Sequence, residues 1–170
     1  MKNTIQMMIC LVVMMFTAGN LQAQMTAAKK ILPAVEKKVI LNAPAQKVWD
    51  YISEPENYKK FSGVKAFSCE EKALNAKIEL TTKADKKRKQ HIFELNFDQF
   101  KISYLVTNSD YDGDHEWAYS FNVLPKGNNK CELVVSIYYY EPGQFPAEFN
   151  EGITQEFNDI IAGVSKKFNK

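Results

Sequence analysis

The residues that most often carry catalysis or cross-linking are scarce in this chain. Of its 170 residues, three are cysteine and two are histidine. So few cysteines exclude a disulfide framework, and no C-x-x-C pair is present for redox or zinc chemistry. A glycine-rich phosphate loop, a G-x-S-x-G turn and an H-E-x-x-H pair are also missing, which removes the best-known nucleotide, esterase and zinc-protease chemistries. Charge of one sign is lacking too. The chain has 22 basic and 20 acidic side chains, too even a balance for a nucleic-acid binder, which needs a basic surface. No internal repeat, low-complexity tract or linker divides the sequence.

The one long apolar run is at the N-terminus. Lys2 supplies a positive start, residues 5–16 are apolar except for Gln6, and Leu21-Gln22-Ala23 places a small residue before a cut. That pattern reads as a secretory signal peptide, and its apolar part is too short to span a membrane. Residues 1–23 are therefore expected to be removed, leaving a 147-residue, nearly neutral, exported chain, periplasmic or extracellular and without stable membrane insertion. Residues 24–34 read as a flexible lead. Residues 35–170 are long enough for one domain with a substantial core.

Periodicity organises the rest around the last stretch. Phe149, Ile153, Phe157, Ile160, Ile161, Val164 and Phe168 recur at helical spacing, predicting a long helix over 146–168 with Pro146 in its first turn. So large an apolar face needs a wrapping. Residues 35–42 predict a strand. Pro44 opens a short helix facing Val48, Trp49 and Ile52 inward, and Pro55 opens a second bearing Tyr58 and Phe61 and ending before Gly63. Six further strands are expected over 64–71, 76–82, 90–97, 101–107, 115–124 and 131–140. In the third of these His91, Phe93, Leu95 and Phe97 take the inward phase, and the tract 84–89 before it reads as a charged hairpin loop.

The segment Val39-Ile40-Leu41-Asn42-Ala43-Pro44-Ala45-Gln46-Lys47-Val48-Trp49, followed by Pro55-Glu56-Asn57-Tyr58, resembles the START-like, or SRPBCC, superfamily. That superfamily includes polyketide cyclase/dehydratase-like proteins and plant pathogenesis-related allergens. The resemblance covers residues 39–61 as a motif and 35–168 as an order of elements. It implies an α+β helix-grip fold: a seven-stranded antiparallel sheet wrapped around a long C-terminal helix, with two short helices after strand 1. It also implies a cavity between sheet and helix for a lipid, sterol or other apolar molecule. In the implied sheet order strand 1 lies between strands 2 and 7. Cys69 and Cys131 are then too far apart to bond, and two free thiols are expected.

The inward aromatics are the main candidates for a site: Trp49, Phe93, Phe97, Tyr104, Trp117, Tyr119, Phe121, Tyr139, Phe149 and Phe157, with Gly152 and Ile153 of the last helix. They suit either a ligand cavity or a filled core. Gly152 and Gly163 each cost about 1 kcal/mol relative to alanine inside a helix, so space beside the backbone is needed there, for ligand or for close packing. His91 and His115 share the inward phase and are the candidate acid/base pair. The loop 110–114 alternates carboxylates without completing a calcium site, and Lys86-Lys87-Arg88-Lys89 reads as a solvated turn. No cofactor or metal is expected, and a single chain is expected to act alone. The function these features point to is binding of an apolar or lipid-like small molecule. A cyclase/dehydratase- or hydrolase-like enzyme in the same cavity is the alternative. So is an interaction module without a cavity, marked by an outer patch near Ile92, Val134 and Tyr138.

Overall fold

A computed structural model describes residues 32–111, 115–139 and 147–169. The signal-peptide reading of residues 1–23, most of the lead, and the carboxylates at 112 and 114 lie outside them. The elements are β1 (Val35–Leu41), α1 (Ala45–Ile52), α2 (Pro55–Ser62), β2 (Ala66–Cys69), β3 (Lys77–Thr81), β4 (Lys87–Asn96), β5 (Lys101–Ser109), β6 (Trp117–Pro125), β7 (Cys131–Tyr139) and α3 (Ala147–Phe168). The seven strands form one antiparallel sheet in the order β1-β7-β6-β5-β4-β3-β2. Helix α3 lies across its inner face, where Phe149 meets Trp117 edge-on at 5.3 Å and Phe157 meets Tyr119 at 5.4 Å.

The two short helices start and stop for local reasons. Pro44 caps α1 with φ already at −57°, and Pro55 fills the first turn of α2, where its absent N–H loses nothing. Gly63 ends α2 in the left-handed region at φ 70°, returning its N–H to the Lys59 carbonyl at 3.2 Å. Val48, Trp49, Ile52, Tyr58 and Phe61 are buried as the spacing required.

Alternation held for β3, β5, β6 and β7. Ile78 and Leu80, Ile102, Tyr104 and Val106, Trp117, Tyr119, Phe121 and Val123, and Leu133, Val135 and Ile137 all face the core. Strand β4 runs opposite to expectation. Arg88, Gln90 and Ile92 point inward, His91 is half-buried on the other face, and Phe93 is 44% exposed. The register with β5 slips between Lys89 and Gln90 and again between Ile92 and Glu94. The first slip leaves Thr107 of β5 unpaired and the second leaves Phe93 of β4 unpaired, and only the second exchanges the faces of β4. Past the second slip Leu95 packs on the core, and Phe97, though 57% exposed, lies edge-on to Trp49 at 6.0 Å. The inward phase assigned to His91 and Phe93 is thus corrected, and Ile92 is core rather than outer patch.

Two further expectations change. The basic tract is not all loop: β4 starts at Lys87, and Arg88 is interior. Strand β1 pairs with β7 alone, and β2 closes the opposite edge of the sheet, so β1 does not sit between them. Cys69, on β2, and Cys131, on β7, are both free.

Candidate ligand site

The space between α3 and the sheet is crowded with rings. Tyr104 stacks on Tyr119 at 4.8 Å, Tyr58 stacks on Phe67 at 4.7 Å, and Phe121 touches Tyr58, Phe61, Tyr104 and Tyr119. Strands β5 and β6 present these rings to Phe149, Ile153 and Phe157 of α3, because residues two apart on a strand share a face with residues four apart on a helix. Tyr104, Trp117, Tyr119, Phe121, Phe149, Ile153 and Phe157 are therefore gathered in one interior, with half-buried Tyr139 against Phe149 at 5.9 Å. Trp49 is buried in the same core, its ring contacts being with Phe97 and Phe100.

Within this apolar interior is a charge. Arg88, 1% exposed, donates from Nη1 to Glu156 Oε2 at 2.9 Å and from Nη2 to Glu156 Oε1 at 2.7 Å. The two parallel bonds are the fork geometry that guanidinium provides and ammonium does not. The guanidinium also lies beside two neighbouring rings, 5.4 Å from that of Trp117 and 5.3 Å from that of Tyr119. Burial works against its charge, but the Glu156 carboxylate together with the Tyr119 and Tyr58 hydroxyls outweighs that, and its pKa is raised.

A polar chain leads away from the pair. Arg88 Nη2 donates to Tyr58 Oη at 3.3 Å, the Tyr58 and Tyr119 hydroxyls bond at 3.0 Å, and Gln90 Nε2 donates to Tyr119 Oη at 2.7 Å. Burial pushes Tyr119 up to about 12 and holds Tyr58 and Tyr104 well above the ordinary tyrosine value. Three atoms of this cluster, Arg88 Nε, Gln90 Oε1 and Trp117 Nε1, have no hydrogen-bond partner among the described residues. Buried polar groups are rarely left so, and three around one side chain mark a place for water or a guest.

One member of the cluster, Glu156, also borders a cleft. This cleft of about 170 Å³ opens between the middle of α3, the end of α2 and the β3–β4 turn, lined among others by Ser62, Thr82, Tyr111, Gly152 and Glu156. Glu156 thus faces the cleft and holds Arg88. Across its mouth Lys83 Nζ donates to Asp159 Oδ2 at 2.8 Å. Gly152 has Tyr111 against it: a Cβ there would lie 2.6 Å from the ring. Gly163 answers to a different neighbour, because its Cβ would fall 2.1 Å from the Phe61 carbonyl oxygen. Packing against Tyr111 and α2, not against the sheet, explains both glycines.

No family model matches the sequence, and no curated protein matches it either. Solved structures do. A START superfamily protein from Mycobacterium smegmatis superposes with a TM-score of 0.62 at 14% identity, over 79% of this chain and 96% of that one. An aromatase/cyclase from a Streptomyces species gives 0.66 at 14% identity, over 78% and 91%. Norcoclaurine synthase from Thalictrum flavum, solved in complex with dopamine and hydroxybenzaldehyde, gives 0.60 at 13% identity, over 78% and 83%. The chain has the helix-grip fold of the START-like proteins.

In this helix-grip chain the two histidines do not meet. His91 lies opposite Lys77 and Leu105 on the face of the sheet away from α3, and Leu105 is opposite Ala118. His115 is exposed, three residues before Ala118 and ahead of β6. Two strand spacings, about 10 Å, separate them laterally. On that same outer face a second hollow, about 310 Å³, lies over Ser120, Asn122 and Ser136. The pairs Lys38–Glu36 and Lys101–Glu94, each 2.8 Å apart, flank it. Among the described residues no three His, Cys, Asp or Glu side chains gather as a metal site, and no helix is long and apolar enough to cross a membrane.

Three residues of the interior cluster, Arg88, Gln90 and Glu156, escape a reading by composition and phase. Arg88 hides in K-K-R-K, yet it is the only arginine of the sequence. Glu156 sits three after Ile153 and four before Ile160, on the apolar stripe of a helix. A carboxylate there needs a cation opposite, and the lone arginine is the signal that would have supplied it.

Proposed function

We propose that this protein is an exported binding protein for a small, mainly apolar molecule, held between α3 and the sheet. The observation that carries the proposal is the cluster of unpartnered polar atoms around Arg88, inside an apolar shell and beside a cleft whose wall is Glu156. Apolar walls supply affinity, and a few convergent polar groups fix orientation. Tyr104, Trp117, Tyr119, Phe121, Phe149, Ile153 and Phe157 form the buried apolar layer behind the cleft in this reading, with Gly152 on the cleft wall. Trp49, Phe93 and Phe97 are left out of it. At about 170 Å³ the cleft is smaller than the roughly 300–1,000 Å³ of drug-sized pockets, so a compact ligand fits better than a sterol. The export step rests on the N-terminal pattern alone.

Native mass spectrometry of protein purified from its own cell envelope tests the reading. A bound small molecule, or a rise in melting temperature with a panel of small aromatic and aliphatic compounds, supports it. A bare mass together with no response across the panel overturns it. The enzymatic alternative through His91 and His115 draws no support from their positions on or beyond the outer face.

A further inference from the structure

We infer that the interior beneath the cleft selects a neutral hydrogen-bond acceptor, a carbonyl-type oxygen carried on an apolar body. The inference rests on the binding reading above and names the ligand class. It follows from counting protons. Arg88 Nη2 donates to Tyr58, so one hydroxyl proton joins Tyr58 to Tyr119, and the other has no acceptor while Gln90 Nε2 faces Tyr119. Reversing the Gln90 amide gives that proton to Oε1 but leaves the Gln90 N–H groups without an acceptor. In either orientation a surplus proton remains, beside the unpartnered Arg88 Nε–H and Trp117 Nε1–H. At most one acceptor, Gln90 Oε1, stands against them. The cluster is therefore rich in donors.

A guest that satisfies it must accept. Its charge is fixed by the ion pair: Glu156 already neutralises Arg88 with both oxygens. A second anion in this interior would be buried without a cation of its own, which is costly. A neutral carbonyl or ether oxygen meets the donors without that cost. Arg88 is within 5.4 Å of the Trp117 ring, so the free Nε–H and indole N–H belong to side chains in contact.

Three matched probes test this on the mature full chain: acetophenone, ethylbenzene and benzoate, titrated by ¹H–¹⁵N correlation spectra. Arg88 gives the only arginine Nε–H signal of the protein, and the Trp49 indole serves as the internal control for that of Trp117. The expected result is that acetophenone shifts the Arg88 and Trp117 signals and leaves Trp49 in place. Its affinity should exceed that of ethylbenzene by about fivefold for each hydrogen bond gained, and benzoate should be weakest. In Trp117→Phe, which keeps the ring, the preference for ketone over hydrocarbon should fall about fivefold. Equal binding of ethylbenzene and acetophenone overturns the inference while leaving the binding function standing, and so does tighter binding of benzoate. No response to any probe, with a water nuclear Overhauser effect to the Trp117 indole, overturns both.

Discussion

Breaking the Arg88–Glu156 pair from one side should cost far more than removing it whole. In Glu156→Leu the guanidinium stays charged, fully buried and stripped of both charge-assisted bonds. A lone buried charge of this kind destabilises by about 3–5 kcal/mol. For a domain of this size that lowers the melting temperature by roughly 10–15 °C. Alkaline pH cannot relieve it, because arginine does not lose its proton in water. Arg88→Met leaves the other partner, but Glu156 borders the cleft and can recover water there. That variant should lose less, about 1–3 kcal/mol. The double variant Arg88→Met/Glu156→Leu fills the same space with apolar atoms and should fall within about 1 kcal/mol of the parent. Urea unfolding followed by tryptophan fluorescence and far-ultraviolet circular dichroism gives the three differences. A coupling energy of about 2 kcal/mol or more is expected from the cycle. The reasoning is refuted if Glu156→Leu loses less than about 1 kcal/mol, or if the single losses add to the double within about 0.5 kcal/mol.

Gly163→Ala should destabilise by about 1–3 kcal/mol, because its Cβ would meet backbone at Phe61. Gly152→Ala meets only the movable Tyr111 ring and should be near neutral, helped by about 1 kcal/mol of helix propensity; equal losses in urea titration would contradict the assignment. Burial raises the folded-state pKa of Tyr58, Tyr104 and Tyr119, the last to about 12. The folded state therefore keeps protons that the unfolded chain releases above about pH 10. Stability is fully present below that pH and falls by about 1.4 kcal/mol per pH unit for each retained proton as pH rises towards 12. Phenolate absorbance should rise with loss of circular dichroism, and full ionisation of a still-folded protein would contradict it. Maleimide labelling read by peptide mapping should modify half-buried Cys69 in the native state and Cys131 only after unfolding. Native labelling of Cys131 would show that β7 is not packed as described.

Most of the fold was legible because its strands and helices keep their periods. The α1 and α2 boundaries followed from Pro44, Pro55 and Gly63, whose backbone preferences act locally. The stripe from Phe149 to Phe168 located α3 and the surface that must cover it. What failed is non-local. The phase of β4 depends on the register slip against β5 at Phe93, because a single unpaired residue exchanges every later side chain between faces. The positions of His91, Phe93 and Ile92 all turned on that. The sheet order, with β1 and β2 at opposite edges, is likewise a matter of pairing partners and leaves no periodic trace. The ion pair was hidden for a third reason. Arg88 and Glu156 are 68 residues apart, and Arg88 stands in a run of charges that reads as a solvated turn.

The contact between Gly163 and the Phe61 carbonyl makes the long helix mechanically unequal along its length. Near its C-terminus, main chain rests on main chain, a joint that no rotamer change can loosen. At Gly152 the facing neighbour is the Tyr111 ring, and a ring can swing aside. The rod is bolted at one end and propped at the other, so any widening of the interior pivots about Gly163 and shows first on the Tyr111 side.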